Sequence, residues 1–508
     1  MWAKQIPLRA RQGVVLALLT VLLLAVTGAA AAPAATAPVP GTMDATFNIG
    51  TGPTSPVPPS GIQALAVQPD GKIVIGGYFT TFNGTVVNGI TRINPDGSRD
   101  TSFNVGTGTE QGSVAALAIQ PDGKIVVGGF MVRFNGIPAH GIARLNPDGS
   151  VDQSFNQGSG FNDQVLVLAV QPNGRILVAG DFADYDGSYS PQLARLMPDG
   201  TFDSSFVSGR QPDPYRGINT IALPSDGKIV LGGSFDTYGG APAHGLVRVN
   251  SDGSPDPSFS VGNGVGPAMT DQAFAVIPGA SGTLLVGGYF ATFNGQARPN
   301  LVRLNADGSI DPTFGTVGTG PNAQVNDLQV QRDGRPILLG NFSRFGSVTA
   351  FGIVRLNPDG TLDPTFVSGT GFTGSVIAGA LQADGKLLVG GFFDYYNGTA
   401  VNQLLRLYGT PIPTPQTPVG CRALPKKIRK TGLTVILPRT CLTNAGQAVQ
   451  VSAAGRLRGD LRLFRLVKGR NGKVSIRTYG YRIALTITES APAINQYSRF
   501  RTSRTYRP

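Results

Sequence analysis

Apolar and polar positions follow one rhythm through most of the chain. "VAALAIQ" (114–120) is apolar on both faces, which predicts a strand covered on both sides. "PDG" (121–123) predicts a turn, and "KIVVGGF" (124–130) a second strand. A longer stretch, "MVRFNGIPAHG", leads to "IARLN" (142–146), a third strand. A second "PDG" then turns the chain into "SVDQSF" (150–155), read as a fourth. In each tight turn proline presets the first dihedral, aspartate suits the next position and glycine takes the left-handed one, as in a common hairpin loop. These units show no helical apolar period.

The pattern recurs. The glycine of the first turn stands at Gly71, Gly123, Gly174, Gly227, Gly282, Gly334 and Gly385, in steps of 51 to 55 residues. Four antiparallel strands in about 50 residues, repeated along the chain, predict a β-propeller. The phrase "LNPDGSVDQSF" (145–155) has near-copies in five other units and reads as the hairpin between third and fourth strands. Its loop sets Arg144 directly opposite Asp152. The same spacing holds for Arg92 and Asp100, Arg195 and Asp203, Arg248 and Asp256, Arg303 and Asp311, and Arg355 and Asp363. Opposite charges in cross-strand register contribute about 0.2–1 kcal/mol each, and losing one partner costs more where the pair is buried. The reading is structural.

The seventh unit ends at "LLRLYGT", where no Asp-bearing hairpin follows Arg406. The missing piece stands near the other end: "DATF", Asp44 to Phe47, has the Asp-x-x-Phe spacing of the other fourth strands. The expectation is an all-β, seven-bladed propeller over 44–408, closed by its own N-terminal strand beside Arg406, with no open edge.

"QPDGKIVVGG" and "RLNPDGSxDxSF" resemble the delta-60 repeat family of exported bacterial proteins, over roughly residues 44–408. The resemblance implies a propeller fold and export, and carries no common activity. Unit five departs from the pattern, with "PGASGT" at its first turn.

Alternating strand directions put the tight turns at one end of the disc and the longer connections at the other. The connections vary most between units, and loops on a rigid scaffold are where binding usually sits. An aromatic recurs there: Phe82, Phe134, Tyr185, Tyr238, Phe293, Phe345 and Tyr396. Two readings stay open, a ring of side chains that stacks on sugars or peptides and a set of plugs between blades. Recurrence in every unit favours the plugs.

The rest of the chemistry is sparse. His140 and His244 are the only histidines, and a zinc site needs three or four ligands. "NPDGSxD" spaces oxygen donors like a calcium loop, but the position needing an acid is Arg144 or its equivalent, and a cation repels the metal. No nucleophile elbow, metalloprotease motif or phosphate loop is present. No cofactor or metal is expected. Catalysis on scattered carboxylates is the minority reading.

The ends complete the organisation. Lys4, Arg9 and Arg11 precede the apolar run Val14–Val26 and Ala29–Ala31, a signal-peptide pattern over 1–31 with a lead-in at 32–43. The apolar run falls short of the roughly 20 residues a spanning helix needs, so no transmembrane span is expected in the mature, secreted protein. A Pro/Thr-rich linker (409–420) leads to a basic domain (421–508), read as a small β-sandwich from stretches such as "LTVIL" and "YRIALTIT". Cys421 and Cys441 are expected to form one disulfide, two free thiols being the alternative. Residues 421–508 carry 19 Lys and Arg against Asp460 and Glu489, a net +17 within a chain total of +12. Such asymmetry points to an anionic partner: wall polymer, acidic glycan or lipid head group. Nucleic acid is not expected, since no groove-reading motif is present. The functional expectation is a secreted binding or scaffold protein, held by its tail to an anionic envelope surface, with an unknown protein or saccharide on the propeller's loop face. The alternative is a secreted polysaccharide hydrolase or lyase acting at the channel mouth.

Overall fold

The computed structural model describes residues 38–410, apart from 57–59, 111, 210–216, 269 and 316–318; beyond 410 the backbone of strand segments is described. The leader at 1–31, Cys421 and Cys441 lie outside the described residues.

Unit 2 shows the plan that the others repeat. Its three strands, Ser113–Ile119, Ile125–Phe130 and Ile142–Leu145, form an antiparallel sheet with Ile125–Phe130 in the middle. The middle strand is buried through Gly129, as its two apolar faces require. The first strand is only half covered. Middle strands follow at Ile73–Tyr78, Ile176–Gly180, Ile229–Gly233, Leu284–Tyr289, Pro336–Gly340 and Leu387–Tyr396. Every first strand carries a bulge near its start, between Val114 and Ala116 in unit 2 and between Val325 and Asp327 in unit 6.

The core lies between successive sheets. Val74 and Ile90 of unit 1 pack with Val114, Val127 and Phe134 of unit 2. Ile62 and Ile73 of unit 1 pack with Leu388 and Leu404 of unit 7.

Two elements differ from the sequence reading. "SVDQSF" is not a fourth strand. One bridge, Leu145 to Val151, is followed by a turn, because Asp152 Oδ1 accepts the Ser154 N–H at 3.0 Å and the Ser154 O–H at 2.7 Å. This side-chain turn competes with the ladder. The longer stretch after the second strand also holds structure: Arg133–Phe134 pairs with Ile137–Pro138 through Asn135 and Gly136. Both turn residues have positive φ, 48° and 75°, which an Asn-Gly hairpin turn requires.

Beyond 410, Thr431–Leu437, Val474–Tyr479 and Phe464–Lys468 form one antiparallel sheet, and Gln450–Arg456, Ala484–Ala491 and Phe500–Tyr506 another. Among the described residues no helix is long and apolar enough to cross a membrane.

Candidate functional site

The tight-turn end is organised around one aspartate per unit. Asp152 Oδ2 accepts hydrogen bonds from Arg144 Nε at 2.7 Å and Lys124 Nζ at 2.8 Å. The Arg144 guanidinium lies 4.7 Å above the Phe155 ring and donates from Nη1 to the Pro198 carbonyl of unit 3. The cluster therefore joins two units rather than two strands alone. Nε–Oδ2 distances are 2.7 Å for Arg92–Asp100, Arg195–Asp203 and Arg303–Asp311, and 2.8 Å for Arg248–Asp256 and Arg355–Asp363. Each arginine reaches onward from Nη1, to Pro147, Ser251, Pro358 and Ala306 carbonyls and to Thr410 Oγ1 respectively for Arg92, Arg195, Arg303, Arg248 and Arg355. Burial opposes ionisation of Asp152. Hydrogen bonds from Lys124 and Ser154, with the Arg144 charge, outweigh it and hold the carboxyl well below the usual aspartate range.

Unit five lacks the second cation. Thr283 stands where Lys124 stands in unit 2, and the Arg303 side chain is 23% exposed against 5% for Arg144.

Asp44 and Arg406 meet in the same way although 362 residues separate them. Asp44 Oδ2 accepts from Arg406 Nε at 2.8 Å and lies 2.9 Å from Lys386 Nζ; Tyr408 donates its hydroxyl to Oδ1 at 2.9 Å. The Arg406 guanidinium stands 4.7 Å above Phe47, and Met43 bridges Leu407. The contacts continue both ways: Arg406 Nη1 donates to the Pro95 carbonyl of unit 1 at 2.5 Å, and Val367 N–H of unit 6 donates to the Pro40 carbonyl at 2.8 Å. Elsewhere that second bond ends on the turn aspartate of the next unit, as from Asn104 N–H to the Asp148 carbonyl.

The seven recurring aromatics do not form a ligand platform. Phe82, Phe134, Tyr185, Tyr238, Phe293, Phe345 and Tyr396 are all at most 5% exposed. Each sits in the small hairpin, with its ring turned into the core; the hydroxyls of Tyr185 and Tyr396 donate to the Gly200 and Gly41 carbonyls at 2.5 and 2.6 Å. A different row of rings, at the end of the middle strand, is exposed. Tyr78, Phe130 and Tyr289 are 37%, 54% and 44% exposed, and Phe392 is half-buried over Gly61. The equivalent residues of units 3, 4 and 6 are Asp181, Ser234 and Asn341. This row varies between units, and that variation is the signal that the sequence reading passed over.

The two histidines occupy equivalent clefts at the connection end. At the junction of units 2 and 3, His140, Asp163 and Gln164 line a small space of about 100 Å³ with Phe130 and Phe161. At the junction of units 4 and 5 the corresponding cleft measures about 630 Å³, lined by His244, Asn263, Asp271 and Thr292. The two rings of the small site are Ser234 and Val265 in the large one. Two aromatic side chains are absent there, and the connection from Val265 to Ala273 is four residues longer than that from Phe161 to Val165, with Gly266, Pro267, Ala268 and Asp271 along the cleft. A further cleft of about 610 Å³ lies beside Arg144, Asp152 and Phe155, whose groups are already committed to the aspartate cluster. Among the described residues no group of three His, Cys, Asp or Glu side chains is placed to hold a metal ion.

The family comparison agrees with the repeated plan. The family model described as "Domain of unknown function (DUF5122) beta-propeller" matches residues 68–103, 120–155, 171–206, 225–259, 279–314, 331–366 and 382–407. No curated protein matches. Among solved structures, a catalytically inactive virginiamycin B lyase from Staphylococcus aureus with quinupristin is similar at 14% identity and TM-score 0.39, over 68% of this chain and 94% of that one. A gluconolactonase from Xanthomonas campestris is similar at 15% identity and TM-score 0.33, over 62% and 94%. YCF48 from Cyanidioschyzon merolae is similar at 12% identity and TM-score 0.33, over 70% and 97%. Likeness at this level carries no argument about activity. The repeated family matches and the repeated sheets together make this chain a member of a β-propeller repeat family.

Proposed function

We propose that this chain is an exported, non-catalytic binding protein: a seven-bladed propeller closed by its N-terminal segment, carrying a basic C-terminal β-module that associates with an anionic envelope surface. Closure is supported by the Asp44–Arg406 cluster and by its bonds onward to Pro95 and back to Val367. The observation that carries the binding reading is the cleft of about 630 Å³ between units 4 and 5, within the range of small-ligand sites and edged by strand ends. Its lining sets hydroxyl, amide, imidazole and carboxylate groups beside Pro242, Val265, Pro267 and Ala268, which suits a small ligand with both polar and apolar parts. The tail reading rests on the net +17 of residues 421–508.

Co-sedimentation with purified cell-wall sacculi tests the two parts. Residues 38–508 are compared with residues 38–420, and with Ser234→Phe in each. If the tail anchors the protein, the longer form pellets at low salt and is released near 1 M salt, where the screening length falls to about 3 Å. Retention of residues 38–420 that Ser234→Phe abolishes would assign the wall itself as the cleft's ligand. Pelleting unaffected by removing the tail overturns the anchor, and release of reducing ends or unsaturated products overturns the non-catalytic reading.

A further inference from the structure

The packing between successive units follows one rule with one reversal. On the middle strand of most units a glycine leaves a hole, which the bulge-side apolar residues of the next unit's first strand fill. A Cβ placed on Gly76 would stand 2.5 Å from Val114 Cγ1 and 3.3 Å from Leu117 Cδ1. Gly128 faces Val165 and Leu168 of unit 3 in the same way, Gly287 faces Val325 and Leu328 of unit 6, and Gly390 faces Ile62 and Leu65 of unit 1. Gly232 receives Val276 of unit 5, and unit 3 keeps a small residue, Ala179.

Between units 6 and 7 the hole and the filling side chain change places. Leu339 stands on the middle strand where Gly76, Gly128 and Gly287 stand, and Gly379 stands on the first strand of unit 7 where Leu65, Leu117 and Leu328 stand. A Cβ on Gly379 would lie 2.3 Å from Leu339 Cδ1. Gly379 is not among the residues with positive φ, so the missing side chain serves space rather than backbone conformation.

The reversal comes with a polar clasp. Asp327, the partner of Leu339 across the sheet, replaces Ala64, Ala116 and Ala275 of other units. Its Oδ2 accepts the Gly379 N–H at 2.6 Å, and Gln329 Nε2 donates to the Gly379 carbonyl at 3.0 Å. Both backbone groups of one residue are held by the neighbouring unit, at the place where a side chain would have stood. Asp327 is the only charged residue on any of the seven first strands described.

We propose that Leu339, Gly379 and Asp327 form a register key, which lets the first strand of unit 7 pack on unit 6 and on no other unit. Near-identical repeats invite mispairing, either within one chain or between two chains, because every middle-strand glycine accepts any first-strand leucine. Unit 7, with glycine at that place, leaves a void against any glycine-bearing neighbour. Unit 6, with leucine, overpacks against any leucine-bearing first strand. The key thereby fixes the order of the last two repeats, and with it the position of the unit that receives Asp44.

Full-length variants test this by melting and by refolding. Gly379→Leu should lower the melting temperature by about 2–4 °C through overpacking. Adding Leu339→Gly and Asp327→Ala, which writes the common pattern into this junction, should recover most of that loss. The triple variant should then refold from denaturant with a lower yield of monomer and more soluble oligomer on light scattering than the native sequence. Gly379→Leu without effect, or no recovery in the triple variant, overturns the interlock. A triple variant that recovers its melting temperature and refolds to the same monomer yield overturns the ordering role.

Discussion

Asp44→Ala is the most direct test of the proposed closure. The Asp44 side chain is fully buried and the Arg406 side chain is 6% exposed, so the substitution leaves a buried guanidinium and Lys386 without their shared counter-ion. Removing one member of a buried ion pair costs about 3–5 kcal/mol. Unfolding entropy of about 2.1 cal/mol/K per residue, over the roughly 370 residues of the repeat region, converts this to a fall of about 4–6 °C in melting temperature. Scanning calorimetry of the full chain at pH 7 is the assay. The pH dependence supplies a second reading. Burial opposes ionisation of Asp44, but hydrogen bonds from Thr46, Lys386 and Tyr408 outweigh it, so its folded pKa lies below the ordinary value of 3.8. A depressed carboxylate contributes its stability above the unfolded pKa and loses it as pH falls, so the gap between native chain and variant should narrow below about pH 4. An unchanged melting temperature at pH 7 would refute the reasoning, because a buried cation cannot lose its partner without cost. A gap that widens towards acid pH would refute the electrostatic part alone.

Other outcomes follow from the same geometry. Asp311→Ala should cost less than Asp363→Ala by about 1–3 kcal/mol in denaturant titration, since Arg303 is 23% exposed and the pair lacks a second cation, whereas Arg355 and Asp363 are buried and Arg335 adds one. Phe134→Ala should cost about 3–5 kcal/mol and Phe130→Ala less than about 1 kcal/mol, because one ring is 1% and the other 54% exposed; similar losses would contradict the assignment of the two aromatic rows. Burial pushes the Asp327 carboxyl up to about 6, against hydrogen bonds from Gly379, Gln329 and Leu328 that act the other way. A raised carboxyl makes stability fall as pH rises from about 4 to about 6, and the strands packed against it, Gln272–Pro278, Pro336–Gly340 and Phe372–Leu381, carry no titratable group. Asp327→Asn should therefore stabilise the chain at pH 7 by up to about 3 kcal/mol, an upper bound since the side chain keeps some water contact, and change little at pH 4. Equal effects at both pH values would remove the titration from the account.

How far the sequence could be read depended on how local the cause was. The "PDG" turns were legible because proline and glycine act on their own dihedrals, and Gly71 and Gly97 take φ of 86° and 94°. The eight-residue spacing of Arg144 and Asp152 was legible because one hairpin carries both. The Asp-x-Ser signal inside "SVDQSF" was also local, yet the apolar alternation around it read as strand; a side-chain bond to the backbone two residues on decided otherwise. Asn135–Gly136 is a strong hairpin signal that the length of the surrounding stretch concealed. The burial of Phe134 was legible from the recurrence of its aromatic in every unit, whereas the exposure of Phe130 depends on which unit lies alongside. The cleft at His244 is further removed still, since it combines the absence of two rings, at Ser234 and Val265, with a longer connection after Val265, at positions that only alignment of units in space brings together.

The same structure argues where function can lie. At the tight-turn end, every cluster aspartate spends both oxygens: in Asp152, Oδ1 on the Ser154 amide and hydroxyl, Oδ2 on Arg144 and Lys124. The exposed turn aspartates are similarly engaged, Asp148 Oδ1 holding Ser150 N–H and O–H at 3.0 and 2.7 Å. A ligand arriving there would have to displace bonds that link one unit to the next, and its gain would be set against the cohesion of the repeat array. At the connection end the demands are reversed. Strand ends such as Tyr78, Phe130 and Ser234 change from unit to unit, yet each is held in place by a middle strand buried on both faces. Side chains there can vary without touching the inter-unit bonds. Repetition of one end and variation of the other is the division expected of a scaffold whose cohesion is repeated and whose recognition is not, which is why the Ser234 cleft, rather than any of the recurring motifs, is where a ligand should be sought.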